Sequence, residues 1–197
     1  MPGSANAQTL ADQPQDQREA VRKILGLGGD WELGAKTVLI GFIGDKFTND
    51  KYVLLAPLVD LKHLAVIDSP SEDRAFVHCE KLENIESLYF NNCKFTGVGL
   101  RHLSRCKKLK TVNIEGAPIS DEGLAALTQF EAVEILWVSH EKSPSKVTAV
   151  GVRKLKSLKK LKQLSLEVAD LPDRLQDEMK TALPGCEISL SKSHADR

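Results

Sequence analysis

Apolar residues recur along this chain at fixed offsets, and the whole set of offsets repeats every 24 residues. The unit that starts at Leu82 has its next apolar residues at Ile85, Leu88, Phe90 and Phe95. The same offsets occur in units that start at positions 58, 106 and 130. Less strict units start at positions 34 and 158, the second after a four-residue polar insertion within 141–146. A repeat of this length predicts a stack of similar structural units that share one core.

Each unit has two halves with different periods. Residues 86–91 alternate between apolar and other side chains, which is the pattern of a strand with one buried face. Residues 120–127 have apolar side chains at helical spacing behind Ser120, a residue that can cap a helix start. Three threonines hold the equivalent capping position in other units: Thr48, Thr96 and Thr148. Three glycines share a second position, where a missing side chain lets neighbouring helices stack closely: Gly99, Gly123 and Gly151.

The stretch 85–95, IESLYFNNCKF, matches the signature L-x-x-L-x-L-x-x-N/C-x-L when Ile and Phe are allowed for Leu. The chain therefore resembles leucine-rich-repeat proteins. The segments after residues 95 and 119 resemble the continuation of cysteine-containing and ribonuclease-inhibitor-like repeats, and short bacterial proteins of this type look most similar. This resemblance implies an α/β fold, a right-handed leucine-rich-repeat solenoid (horseshoe) of about six 24-residue repeats, with a parallel concave sheet and convex helices, capped at both ends.

The two ends of the chain differ from the repeats. An amphipathic helical pattern precedes the pair Gly28 and Gly29, which is typical of a helix end. The outermost residues are polar and have no periodicity. We therefore predict a disordered tail over 1–16, a capping helix and strand over 17–33, six repeats over 34–183, a capping strand over 184–190 and a disordered tail over 191–197.

In a stack of this kind, outward side chains of successive strands line up in rows on the concave face. One predicted row runs through Ala65, Tyr89, Asn113 and Trp137. Amphipathic aromatics beside polar groups, with isoleucines on a face that water would otherwise cover, indicate a recognition surface. The predicted partner-binding residues are Tyr89, Trp137, Asn113, Glu115, Asn91, Ser87, His63 and Ile135. The alternative is that the aromatics only pack on neighbouring side chains of the same face.

The favoured function is a non-catalytic interaction module that binds a protein or peptide on the concave strand face and is monomeric on its own. The sequence has no G-x-S-x-G, Walker or H-E-x-x-H motif, and we predict no catalytic residue and no cofactor. One alternative is a small-ligand-binding protein or enzyme that uses a set of strand-face residues: His63, Tyr89, Asn113 and Glu115. Six short repeats curve only slightly, which leaves little room for such a pocket.

Charge and hydropathy narrow the choice of partners. The chain has 27 basic and 27 acidic residues, so its net charge of zero gives no general attraction for nucleic acid or an acidic membrane surface. Basic residues do cluster in 101–110 and 153–162, on the predicted convex side. A structural subunit or adaptor that binds an acidic partner there is a second alternative. No apolar run approaches the ~20 residues of a membrane span, so we expect a soluble chain without membrane insertion.

The four cysteines have no C-x-x-C spacing and stand among apolar residues, which predicts buried free thiols and favours a cytoplasmic location. Export is the alternative if residues 1–4 are a cloning remnant, because residues 5–7 resemble a site left by signal cleavage. The localisation therefore stays open. His78 and His102 share a position in consecutive units near two cysteines, but those cysteines fall at core positions. No metal site is expected there.

Overall fold

The computed structural model describes residues 10–34, 37–140 and 145–193, and for residues 31–34 and 37–43 it describes the backbone alone. The described chain forms an open eight-stranded sheet whose strands lie side by side in sequence order. The strands are β1 (Asp30–Gly34), β2 (Thr37–Ile43), β3 (His63–Ile67), β4 (Ser87–Asn91), β5 (Thr111–Glu115), β6 (Ile135–Ser139), β7 (Gln163–Val168) and β8 (Glu187–Lys192).

Strands β2–β8 pair in parallel, and the register follows the sequence period. His63 lies opposite Ser87 and Ser87 lies opposite Thr111, a step of 24 residues each time. Between β6 and β7 the step is 28, with Ile135 opposite Gln163, because the polar insertion falls between these strands. The α/β fold and the parallel sheet are confirmed, and the sheet is built at the period that the resemblance to leucine-rich repeats implies.

Helical segments connect the strands, and most of them are short. The α-helices are α1 (Gln15–Gly26), α2 (Asp121–Leu127), α3 (Ala149–Lys154) and α4 (Leu175–Ala182). The other helical segments are 3-10 helices: Asn49–Leu55, Asp73–Cys79, Val98–Leu103 and Leu155–Ser157. The expected helical half is therefore 3-10 in several units. A 3-10 helix rises about 2.0 Å per residue against 1.5 Å in an α-helix, so it spans a short unit with fewer residues.

The core lies between the sheet and the helical segments. In β4, for example, Leu88 and Phe90 point inward and are fully buried, while the alternate residues are only half-buried. Phe76 packs edge-on against Phe90 and Phe95, with ring centroids 5.6 and 5.3 Å apart. Tyr52 continues this contact to the previous unit, with its ring centroid 5.6 Å from that of Phe76. The repeats thus share one continuous apolar core, as the sequence period predicts.

Three glycines allow adjacent helical segments to touch. A Cβ added at Gly123 would lie 2.1 Å from the carbonyl oxygen of Thr96, and one added at Gly99 would lie 2.3 Å from that of Asp73. A Cβ added at Gly151 would lie 2.2 Å from a carboxylate oxygen of the preceding unit. These distances are too short for any side chain. The predicted role of this position in close stacking is confirmed.

The predicted capping position acts as a cap in two units and not in two others. The Ser120 hydroxyl accepts a hydrogen bond from the backbone N–H of Gly123 at 3.2 Å, and the Thr148 hydroxyl accepts one from Val150 at 3.1 Å. Neither Thr48 nor Thr96 makes such a bond. After Thr96 the chain passes through a residue with φ of +93°, so the 3-10 helix begins two residues later.

Two aspartates tie the helical segments of neighbouring units together. Asp73 accepts hydrogen bonds from the backbone N–H and the hydroxyl of Thr96, at 2.9 and 2.8 Å. Asp121 accepts the same pair from Thr148, at 2.7 and 2.6 Å. Each carboxylate therefore satisfies backbone and side-chain donors of the next unit. The helical side is fixed by polar bonds as well as by close backbone contact.

The ends of the described chain extend further than the predicted caps. Helix α1 begins at Gln15, inside the predicted tail 1–16, and β8 runs to Lys192, inside the predicted tail 191–197. Strand β1 pairs antiparallel with β2 at one edge of the sheet. Positions 1–9 and 194–197 of the predicted tails lie outside the described residues. Among the helices of the described residues, none has the length and apolar character that a membrane span requires.

Candidate functional site

The outward side chains of β3–β8 form one continuous surface, which we name the strand face. In these strands inward residues are buried and outward residues are half-buried or exposed, so the predicted orientation is confirmed. The strand face consists of His63, Ala65, Ile67, Ser87, Tyr89, Asn91, Thr111, Asn113, Glu115, Ile135, Trp137, Ser139, Gln163, Ser165, Glu167, Glu187, Ser189 and Ser191.

Trp137 is the most conspicuous residue of the strand face. Its side chain is 45% exposed, whereas the other strand-face residues of β3–β7 are half-buried. The sheet register aligns Tyr89 with Asn113 and Asn113 with Trp137, so the two aromatics lie two strands apart in one row. An indole held out to solvent on a rigid strand is an apolar surface available for contact.

Glu115 is the centre of a hydrogen-bond network on this face. Its Oε2 accepts a bond from Asn91 Nδ2 at 2.8 Å, and its Oε1 accepts one from Asn113 Nδ2 at 3.1 Å. The Tyr89 hydroxyl donates to Glu115 Oε2 at 3.4 Å and accepts from Asn91 Nδ2 at 3.3 Å. Four of the predicted site residues are thus brought together. Their side chains are ordered before anything binds.

The network leaves one acceptor unpaired. Asn113 Oδ1 is buried and has no hydrogen-bond partner among the described residues. A buried acceptor without a donor destabilises the folded chain by about 1–3 kcal/mol. The side-chain oxygen of Asn113, between Tyr89 and Trp137 in the row, therefore has no hydrogen-bond donor within the described residues.

A shallow depression of about 350 Å³ lies beside Trp137. It is lined by Trp137, Gln163, Leu164, Ser165, Glu187 and Ser189. Gln163 Nε2 lies 3.5 Å from Glu187 Oε2, at the outer rim of the strand face. Glu187 and Ser189 were not predicted as site residues, because the sequence pattern of β8 indicated only a capping strand. The alternation of buried and exposed residues in β8 is the signal that could have identified them, because it places both side chains outward.

The remaining predicted site residues lie at the periphery of the Glu115 network. His63 lies opposite Ser87 in the sheet, and both are half-buried. Ile135 is half-buried between Thr111 and Gln163. Within the described part of the chain, no hydrogen bond links His63 or Ser87 to Glu115. The four-residue set proposed for an enzyme is thus reduced to Tyr89, Asn113 and Glu115.

The cysteines are all free and buried, as predicted. Burial raises the pKa of the Cys93 thiol to about 11 and that of Cys106 to about 12, and it raises the pKa of Cys79 still further. Thiols held protonated in this way are poor metal ligands. His102 Nδ1 lies 2.9 Å from Glu80. Over the described ranges, no three His, Cys, Asp or Glu side chains are grouped as a metal site would require.

Four of the eleven lysines and arginines in the basic clusters 101–110 and 153–162 pair with glutamates. Arg153 Nε lies 3.1 Å from Glu178, and Lys156 contacts the same carboxylate. The other such pairs are Lys162 with Glu134 at 2.6 Å and Arg105 with Glu83 at 2.7 Å. These pairs neutralise part of the basic charge, and they leave less of it for an acidic partner.

His140 comes directly after β6, and its side chain points away from the strand face. Its side chain is fully buried, and its Nδ1 lies 4.0 Å from Glu167 Oε2, which also accepts the His140 backbone N–H at 2.9 Å. Burial lowers the pKa of His140 from its usual 6.5, and the nearby Glu167 carboxylate opposes this only in part. Ser139 lies outward, so the two neighbours point to opposite sides of the sheet and cannot act together.

Comparisons with known proteins give distant structural likenesses only. No family model matches the chain, and no curated protein matches it. Among solved structures, an internalin from Listeria monocytogenes is similar, with a TM-score of 0.49 and 19% sequence identity. The match covers 72% of this chain and 44% of the internalin, so this chain spans less than half the length of that protein.

Proposed function

We propose that this chain is a leucine-rich-repeat module of the cysteine-containing, ribonuclease-inhibitor-like type, with about six repeats in a horseshoe. It binds a protein or peptide partner on its strand face and has no catalytic activity. The observation that carries the proposal is the exposed indole of Trp137, which stands in one row with Tyr89 and Asn113 on a hydrogen-bonded sheet.

Rigidity supports binding on this face. The backbone of each strand is already paired on both sides from β3 to β7, so it loses little conformational entropy when a partner docks. The side chains of Tyr89, Asn91 and Asn113 are held by Glu115. A partner therefore meets a preformed surface, and binding loses less side-chain and backbone entropy than it would on a flexible one.

The spacing of the aromatics fits an extended contact. Neighbouring strands lie about 4.8 Å apart, so Tyr89 and Trp137 are separated by roughly 10 Å across the sheet. Tryptophan and tyrosine are the residue types that most often dominate binding energy at interfaces. A partner segment that crosses β4–β6 would contact both aromatic rings.

The test compares binding by the wild type and the double variant Tyr89→Ala, Trp137→Ala. The partner is captured from the native cell with the wild-type protein, purified, and titrated against both proteins. We expect affinity to fall by about tenfold or more, because each ring removes apolar contact at the centre of the surface. Circular dichroism should be unchanged, since both side chains lie outside the core.

A matched control separates the strand face from any other exposed apolar surface. Val53 and Val77 are about as exposed as Trp137 but lie in 3-10 helices on the helical side. The variant Val53→Ala, Val77→Ala should bind like the wild type. If this control loses affinity and the aromatic variant does not, the strand face is not the binding surface. Loss only on charge reversal of Lys156, Lys159 and Lys160 would instead favour the basic helical side.

A further inference from the structure

The charged residues of the strand face are almost all acidic. Among its eighteen residues, as defined above, there is no lysine and no arginine, but there are three glutamates: Glu115, Glu167 and Glu187. The whole chain has equal numbers of basic and acidic residues. The acidic character of this face therefore arises from how the charges are distributed, and not from overall composition.

The three strand-face glutamates differ from three glutamates elsewhere in the chain that have basic partners. Glu178, Glu134 and Glu83 each pair with a lysine or arginine. By contrast, Glu115 accepts only neutral amide and hydroxyl donors, and Glu187 contacts only the Gln163 amide.

Glu167 accepts the backbone N–H of His140, and the buried His140 ring lies 4.0 Å from its carboxylate. Across 10–34, 37–140 and 145–193, no lysine or arginine neutralises any of the three strand-face carboxylates. Their negative charge is available to a ligand.

Two of the carboxylates lie on the strands that flank the strand of Trp137, and the third lines the depression beside it. Trp137 on β6 pairs with Asn113 on β5, and Glu115 is two residues after Asn113. On the other side Trp137 pairs with Ser165 on β7, and Glu167 is two residues after Ser165. Glu187 lines the same depression as Trp137, at its far rim. An aromatic ring face attracts a cation held above it, and carboxylates within reach strengthen that attraction. The depression therefore combines the two groups that select a positive side chain.

We infer that the strand face binds a segment of a partner protein that carries arginine or lysine, with one cationic side chain seated against Trp137 and directed at Glu187. This inference rests on the proposed function and specifies the partner. Arginine fits best, because its planar guanidinium can stack on the indole and donate two parallel hydrogen bonds to one carboxylate.

The test uses blocked peptides of equal length with alternating Gly and Arg, Gly and Glu, or Gly and Ser. Each peptide is titrated against the Trp31→Phe variant, in which Trp137 is the one remaining tryptophan, and Trp137 fluorescence is recorded. We expect saturable binding of the Gly-Arg peptide alone. Affinity should fall about tenfold when salt rises from about 0.05 M to about 0.5 M, because ions screen exposed charges.

Variants that replace a glutamate by the uncharged glutamine show which carboxylates contact the peptide. Glu187→Gln and Glu115→Gln should each weaken Gly-Arg binding by about three- to tenfold. Glu122→Gln makes the same change in net charge on the exposed first turn of α2, on the helical side, and should leave the affinity unchanged. Equal effects of Glu187→Gln and Glu122→Gln would overturn the inference. Equally tight binding of the Gly-Ser peptide, or of free spermine, would also overturn it.

The outcome is distinguishable from failure of the proposed function. If the purified partner loses affinity for the Tyr89→Ala, Trp137→Ala variant but not for Glu115→Gln and Glu187→Gln, the strand face binds a partner that is not selected by positive charge. The proposed function then stands and this inference fails. Loss of affinity in both sets of variants supports the two together.

Discussion

His140 is a buried base whose charge state affects folding. In the folded chain its pKa is lowered from 6.5, chiefly by burial, so the folded state holds the ring neutral to a lower pH than the unfolded state does. As the pH falls through 6.5, the unfolded chain takes up its proton first. The stability contributed by the neutral ring is therefore fully present above this pH and is lost below it.

We predict that the His140→Gln variant has a weaker dependence of stability on pH. Urea unfolding at about pH 8 and about pH 5 measures the difference in unfolding free energy for each protein. The difference should be smaller in His140→Gln than in the wild type. His78→Gln, which alters a half-buried histidine on the helical side, is the control and should behave like the wild type. An unchanged pH dependence in His140→Gln would contradict the buried, neutral state.

Residue orientation was predictable, but hydrogen bonding was not. The outward positions of Tyr89 and Trp137 follow from alternation and a constant register, both of which can be read from the 24-residue period. The convergence of Asn91, Asn113 and Tyr89 on Glu115 depends on rotamers chosen across two strands, and a linear pattern does not contain that information. The acidic character of the site was missed for a different reason: Glu187 belongs to the strand that was expected only to cap the stack.

Within single elements, the stacking glycines should be intolerant of any side chain. A Cβ at Gly123 would lie 2.1 Å from the Thr96 carbonyl oxygen, which belongs to the backbone and cannot turn away. We expect Gly123→Ala to destabilise the protein by about 2–4 kcal/mol in urea unfolding, because the neighbouring unit must shift.

Gly26 provides the matched control for this substitution. It is the last residue of α1, and an added Cβ there meets nothing within 4 Å. Gly26→Ala should be neutral or stabilising, by up to about 1 kcal/mol, since alanine favours the helix. If the two substitutions had equal effects, close stacking at Gly123 would not be the reason for the glycine.

Helix caps provide a second prediction for single elements. Ser120→Ala removes the hydroxyl that accepts the Gly123 N–H, and we expect a loss of about 1 kcal/mol in unfolding free energy. Thr48→Ala is the comparison, because Thr48 makes no cap bond to the helix that follows it, and it should change stability by a few tenths of a kcal/mol. A loss at Thr48 as large as that at Ser120 would contradict the assignment of caps.

The type of helix was the part of each unit that the sequence did not predict. Residues 73–79 and 98–103 have the apolar spacing of helices, yet they form 3-10 helices. Apolar spacing over six or seven residues does not separate periods of 3.0 and 3.6. Units of equal length contain either type, since 98–103 is a 3-10 helix and 121–127 is an α-helix although both lie within 24-residue steps.

Across the whole molecule, the 24-residue repeat places equivalent residues of successive units side by side on one surface. Residues 24 positions apart become neighbours in the sheet, so Tyr89, Asn113 and Trp137 form a row although they are distant in the chain. Among the described residues, the strand-face glutamates have no lysine or arginine partner, whereas Glu178 and Glu134 each pair with a basic residue. The strand face therefore combines an exposed indole with three carboxylates.

Acrylamide quenching of Trp137 fluorescence in the Trp31→Phe variant tests the central claim most directly. The chain has two tryptophans, so this variant reports on the indole at position 137 alone. The account predicts strong quenching in the free protein, where the side chain is 45% exposed, and clear protection once the purified partner is bound. An indole that resists quenching in the free protein, or that is quenched equally in the complex, would contradict a binding surface centred on the strand face.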